Sequence, residues 1–224
     1  CSLSVRQGEI VALAGLMGAG RTEFARAIIG ADPVTAGEVY LNGQKLRIRS
    51  PEDAVRQGIG LLPEDRKHHG LVLGMGVGEN ITLASLKKAM KNGVLSKKSE
   101  ESFAEKYIEA MNIKTPHLRQ RVKFLSGGNQ QKVVIGKWLM TGGKVLIFDE
   151  PTRGIDVGAK AEIYRIMCEL AGQGMAIVMI SSELPEVLGM SDRVVVMCGG
   201  RVAGEMSRAQ ATQEKIMHLA TGGS

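Results

Sequence analysis

The sequence predicts an α/β fold built on a mainly parallel sheet with helices on both faces. Three observations carry this expectation. Short apolar runs such as "EIVALAG" (9–15), "VLIFDEP" (145–151) and "MAIVMISSE" (175–183) read as buried strands. Segments of helical spacing alternate with them, the order that places parallel strands side by side under crossover helices. The first of these strands ends in a glycine-rich loop that opens directly onto a helix.

The elements follow in order. "CSLSVRQGEIVALAG" (1–15) reads as a strand, a glycine turn and a second strand, and so abrupt a start is expected of a piece cut from a longer chain. "TEFARAIIG" (22–30) continues with helical spacing and stops at Gly30. "GEVYLNGQKLRI" (37–48) reads as a hairpin turning at Asn42-Gly43. "SPEDAVRQG" (50–58) starts a helix with Ser50 as cap and Pro51 in its first turn, and "IGLLPEDR" (59–66) is a strand that runs into a loop. Residues from about 76 to 124 change character: they are lysine-rich and helix-favouring, without strong strands, and read as a helical subdomain. "LSGGNQQKVVIGKWLM" (125–140) is a helix behind a glycine pair. A helix from about Gly158 to Ala171, the apolar stretch "DRVVVMCGGRVAGE" (192–205) and a last helix near Gln210 to Ala220 complete the chain.

With 224 residues, 44% of them hydrophobic, the chain can bury one large core or a core with a subdomain. The aromatic share of 4% argues against recognition of single-stranded nucleic acid by stacking. A formal charge of +6 leaves open nucleic acid, an anionic membrane surface or a solvated basic face. The stretches "KKAMKNG" (87–93) and "SKK" (96–98) read as such a solvated face, or as one that meets lipid headgroups or a partner. Cys1, Cys168 and Cys198 show no C-x-x-C spacing, which fits a reducing compartment. No apolar run approaches the roughly 20 residues that span a bilayer.

Three stretches carry chemistry. "GLMGAGRT", Gly15 to Thr22, matches a P-loop, G-x-x-x-x-G-K-[ST], except that Arg21 stands at the lysine position. Gly15, Gly18, Ala19 and Gly20 let backbone N–H groups point at phosphate oxygens, and Thr22 offers its hydroxyl to Mg²⁺. Arg21 keeps the positive charge, but a planar guanidinium and an ammonium are not interchangeable. In "VLIFDEP" a strand delivers Asp149 and Glu150 at its end; Asp149 is placed to hold Mg²⁺ and Glu150 to orient or deprotonate an attacking water. In "LSGGNQQ" (125–131), Ser126 and the N–H groups of Gly127 and Gly128 precede a helix and make a second anion site.

The ordered set "GLMGAGRT", "LSGGNQQ", "FDEP" and "GID" (154–156) resembles the ATP-binding cassette of an ABC transporter over nearly the whole chain. "PEDRK" (63–67), "LSGGNQQK" (125–132), "DEPTRGIDVGAK" (149–160) and "SSELPEVLGMSDR" (181–193) further resemble the second, C-terminal cassette of bacterial monosaccharide importers of the ribose, xylose and galactose kind. The resemblance implies a P-loop NTPase fold with a RecA-like parallel core, an antiparallel β subdomain from the first residues and the Asn42-Gly43 hairpin, and an α-helical subdomain. It implies one nucleotide-binding domain over residues 1–224 of a tandem two-cassette chain. ATP and Mg²⁺ are the implied ligands, Mg²⁺ on Thr22 and Asp149. Ser126, Gly127, Gly128 and Asn129 are implied to close over ATP held by the other cassette, and Asp156 to be the D-loop aspartate. The implied partners are that second cassette, transmembrane permease subunits and, indirectly, a sugar-binding protein, at the cytoplasmic face of the inner membrane; no nucleic acid is expected.

Three residues depart from the cassette pattern. Arg21 replaces the P-loop lysine, Glu64 stands at the Q-loop glutamine and Ser182 at the switch histidine. Ser182 is too short to reach a γ-phosphate as an imidazole does, and it cannot share a proton with it near neutral pH. The expectation is a P-loop site that binds nucleotide and turns it over slowly, with the signature loop serving the other site. Two alternatives stand beside it: a cytosolic cassette ATPase acting on the ribosome or nucleic acid, and a non-hydrolytic module that binds nucleotide and a partner.

Overall fold

The computed structural model describes residues 1–223, and the chain divides into two compact units. The first holds Cys1–Leu61, Lys144–Pro151 and the chain from Met167 onward; the second holds Leu62–Gly143 and Thr152–Ile166.

The first unit opens with β1 (Ile10–Gly15), whose apolar run is buried, and the glycine loop leads into α1 (Arg21–Ile28). A short hairpin, β2 (Val39–Leu41) with β3 (Gln44–Leu46), turns at Asn42-Gly43, both at positive φ (51° and 76°) as a two-residue turn of this type needs. Next, α2 (Pro51–Arg56) begins at Ser50, whose hydroxyl accepts from the Asp53 N–H at 3.2 Å, with Pro51 where its missing N–H costs nothing. It leads to β4 (Ile59–Leu62).

The expected strand before Gly8 is absent. Leu3 and Val5 alternate onto the core, but the Ser4 carbonyl accepts from the Arg193 guanidinium at 2.5 Å.

The second unit starts with one π-turn (Arg66–Gly70), capped by Asp65, and α3 (Val77–Thr82). A minimal hairpin, β5 (Met90–Lys91) with β6 (Val94–Leu95), interrupts the helices, and α4 (Lys97–Ala110) follows, capped by Ser96. The long helix α5 (Gly127–Thr141) is buried on most of its circumference, including Val133, Val134, Ile135 and Met140, and it packs on α3 and α4.

The chain returns to the first unit as β7 (Val145–Asp149). Beyond α6 (Val157–Gly172) come β8 (Ala176–Ile180), α7 (Leu184–Met190), β9 (Arg193–Cys198), β10 (Arg201–Ser207) and α8 (Gln213–Ala220). Six strands form one sheet in the order β10-β9-β1-β8-β7-β4. β1 runs parallel to both β8 and β9, β7 runs parallel to β8, and β10 turns back antiparallel on β9. Alternate residues Val11, Leu13, Ile147, Val178, Ile180, Val195 and Met197 share one face and pack with Ala25, Ile29 and Ala54. Each fully buried aliphatic side chain contributes about 1.5–3 kcal/mol. The parallel register brings the ends of β1, β7 and β8 to one edge, the edge at which open α/β sheets bind ligands.

Candidate nucleotide site

In the first unit the loop after β1 forms a cradle. Gly15, Gly18 and Gly20 all take positive φ (153°, 79° and 93°), and a Cβ on Gly15 would fall 2.5 Å from the Met197 carbonyl oxygen. The sequence-specified glycine at 15 is therefore fixed both by conformation and by the closeness of β9. Ala19 is buried beneath the loop, and its N–H donates to the Leu16 carbonyl at 3.0 Å. Met17 at the crest is 97% exposed, so the cradle stands open to solvent. α1 begins at Arg21, and its first N–H groups have no carbonyl a turn earlier to bond.

The Thr22 hydroxyl lies beside the Asp149 carboxylate that β7 delivers. Burial pushes Asp149 up to about 6; the Thr22 hydroxyl opposes this, and the neighbouring Glu150 charge adds to it. Asp149 Oδ1 is buried without a hydrogen-bond partner. An orphaned carboxylate oxygen beside a hydroxyl is a hard-donor pair that fits Mg²⁺.

Glu150 sits just beyond β7 at φ 48°, a left-handed conformation that costs a non-glycine residue about 1–2 kcal/mol. Its N–H donates to the Ile180 carbonyl at 2.9 Å, which holds the turn. Its carboxylate is engaged twice. The Ser182 hydroxyl donates to Oε2 at 3.1 Å, and the Arg21 guanidinium lies 3.7 Å from Oε1. Arg21 is 9% exposed and also donates to the Ser181 carbonyl at 2.6 Å. The P-loop arginine is thus anchored on the end of β8 and on Glu150.

The other sequence-predicted residues lie in the second unit. Ser126 caps α5: its hydroxyl accepts from the Asn129 N–H at 3.5 Å and from the Asn129 amide side chain at 3.0 Å. Asn129 Oδ1 in turn accepts from the Lys114 N–H at 2.9 Å. A Cβ on Gly128 would fall 2.5 Å from the Ala159 Cβ, so the start of α5 meets the start of α6 with no room for a side chain. Asp156 caps α6, accepting from the Ala159 N–H at 2.9 Å. Glu64 forms an ion pair with Arg153.

The profile of the ABC transporter family matches residues 1–153. The chain belongs to the ABC transporter family. Among the relatives of this ABC transporter chain, a putative ribose/galactose/methyl galactoside import ATP-binding protein of Rhizobium etli is 60% identical over 219 residues, covering 98% of the chain and 42% of that protein. The ribose import ATP-binding protein RbsA of Bacillus licheniformis is 56% identical over 222 residues, covering 99% of the chain and 45% of that protein. The chain therefore spans less than half the length of these curated relatives. Among solved structures, the dimeric post-hydrolysis state of the ATP-binding cassette MJ0796 with ADP and Pi superposes with a TM-score of 0.77 at 23% identity, covering 92% of the chain and 88% of that one. A nucleotide-free ATP-binding cassette gives 0.77 at 24% identity, over 98% and 87%. These likenesses are of fold: the parallel sheet with its antiparallel strands and helices is that of a P-loop NTPase.

Sequence reasoning missed the part played by Ser181, which acts through its backbone carbonyl and so carries no side-chain signal. It also read Arg66 only as part of the loop after a strand, and gave no sign that its guanidinium bonds to the carbonyls of Arg153 and Gly154. Among the described residues no helix is long and apolar enough to cross a membrane.

Proposed function

We propose that this chain is the ATP-binding and ATP-hydrolysing cassette of a bacterial monosaccharide importer, and specifically the second, C-terminal cassette of a two-cassette subunit. It couples ATP binding and hydrolysis to sugar uptake through transmembrane permease subunits, with a sugar-binding protein delivering the substrate, at the cytoplasmic face of the inner membrane. The names of the relatives support the sugar importer. The observation that carries the ATP reading is the cradle of Gly15–Thr22 set against a buried, unpartnered Asp149 oxygen.

Thr22 and Asp149 would hold Mg²⁺, which supplies positive charge to the phosphates as the γ-phosphoryl transfers. The chain's own residues do the rest by position. The glycine loop and the first N–H groups of α1 bind phosphate oxygens. Glu150 is the group to orient and deprotonate the attacking water. In this site Glu150 is held by Arg21 and Ser182, and Ser182, at the switch position, has no imidazole to share a proton with the γ-phosphate. The site accordingly binds nucleotide and hydrolyses it slowly, while Ser126, Gly127, Gly128 and Asn129 complete the site on the partner cassette. Titration calorimetry with Mg-ATP tests the binding. Saturable heat is expected, and its absence at millimolar nucleotide contradicts the proposal.

A further inference from the structure

Arg66 makes a set of contacts that the nucleotide reading does not use. Its Nη1 donates to the Arg153 carbonyl at 2.7 Å and its Nη2 to the Gly154 carbonyl at 3.1 Å. Gly154 takes φ 66°, so its carbonyl is aimed by a backbone turn that favours glycine. The same Nη2 lies against Gly127: a Cβ there would be 2.8 Å from it and 3.0 Å from the Gly154 oxygen. Asp65 caps the turn that Arg66 begins, accepting from the Lys67 and His68 N–H groups at 3.0 and 3.1 Å. On the other side Glu64 pairs with the Arg153 guanidinium. The chain of contacts runs from Glu64 to Arg153, from the Arg153–Gly154 carbonyls to Arg66, and from Arg66 to Gly127. All of it lies within the second unit.

We propose that Arg66 is a positioning residue for the signature loop: bonded to the Arg153 and Gly154 carbonyls, its guanidinium packs against Gly127 and so keeps the Gly127 and Gly128 N–H groups where a phosphate will meet them. The inference rests on the reading that this loop completes the partner site. A planar fork is suited to the task because it reaches two carbonyls at once, which an ammonium on a flexible stem does not do in a fixed geometry. It also gives residue 127 a reason to be glycine that is independent of the ligand, because any side chain would displace the guanidinium. Glu64 gains a role from the same geometry. A glutamine there would make a neutral hydrogen bond where the carboxylate makes an ion pair, so the departure from the cassette pattern at 64 matches the arginine at 153.

The test uses the full transporter subunit assembled with its membrane partners, comparing wild type, Arg66→Lys, Arg66→Ala and Ser126→Asp. Misplacing a reacting group by about 1 Å can cost about 100-fold in rate, so Arg66→Ala is expected to lower kcat by about 10- to 100-fold with KM within about twofold. Arg66→Lys, which keeps charge and bulk, is expected to melt as wild type does and still to lose kcat at constant KM. Wild-type kcat in a folded Arg66→Lys protein overturns the proposal, as does a loss confined to melting temperature or to KM. If Arg66→Ala does not fold, the lysine variant alone decides. Ser126→Asp separates the two ideas. Aspartate keeps an N-cap acceptor but sets a negative charge against the phosphate, so unimpaired turnover in that variant refutes the signature reading itself, whereas its loss beside an intact Arg66→Lys enzyme refutes only the role of Arg66.

Discussion

The proposal of a slow P-loop site turns on Arg21. Its guanidinium spans the Ser181 carbonyl and the Glu150 carboxylate, a pair of contacts a lysine does not reproduce. Arg21→Lys is therefore expected to free Glu150 and to raise hydrolysis at this site by about 10-fold or more, on the scale that one well-placed group contributes. Single-turnover assays in a Ser126→Asp background, where the partner site is silent, measure it; no gain would show that the ion pair is not what slows the site. Gly15→Ala places a Cβ 2.5 Å from the Met197 oxygen at a φ of 153° and is expected to destabilise the fold by about 2 kcal/mol or more, read from chemical denaturation. The glycine spacing and the Asp149-Glu150 pair were legible in the sequence because a strand, a loop and a helix in that order leave a local pattern. The anchor of Arg21 was not, because it is a backbone oxygen 160 residues away. The left-handed turn at Glu150 was equally hidden, since nothing about a glutamate announces positive φ.

Among the elements, α5 shows best where local pattern stops informing. The Ser126 cap and the glycine pair mark its start, and the structure begins it at Gly127. Two lysines in it, Lys132 and Lys137, are only 2% and 8% exposed. Lys132 reaches the Asn112 carbonyl at 3.0 Å and pairs with Glu162, while Lys137 donates to the Gly70 carbonyl. Tertiary partners that carry no local signal thus turn a polar-looking helix into a buried one. Burial draws Lys137 from 10.5 down to about 8. Between these values the folded chain binds fewer protons at this site than the unfolded chain, so the contribution of Lys137 to stability rises with pH from about 8 and levels off near 10.5. Relative to Lys137→Met, wild type is expected to gain about 1–3 kcal/mol across that window in urea denaturation. A pH-independent difference would mean that the amine is not desolvated. The missing first strand makes the same point: Leu3 and Val5 do pack on the core, but the Ser4 carbonyl between them bonds Arg193, far along the chain, and not a strand.

At the scale of the molecule, alternating strands and helices announced the parallel sheet, and the structure supplies its order, β10-β9-β1-β8-β7-β4. Residues 76–124, where the composition changes, fall within the second unit, whereas the inclusion of Thr152–Ile166 depends on contacts that no stretch of sequence displays. The division bears on the proposed function: the first unit holds the glycine loop, Asp149 and Glu150, and the second holds residues 126–129 with Arg66 and Glu64. A cassette whose own cradle is held by an arginine and whose signature loop is kept in place would give more to its partner's site than it does at its own. The most direct measurement is the ATPase rate of the full-length subunit carrying either Glu150→Gln or Ser126→Asp. Glu150→Gln is expected to keep most of the activity, while Ser126→Asp loses about 100-fold or more, the order expected when a phosphate-binding donor set is disrupted. A Glu150→Gln subunit as inactive as Ser126→Asp would contradict this, and would show that Arg21 serves as a working substitute for lysine.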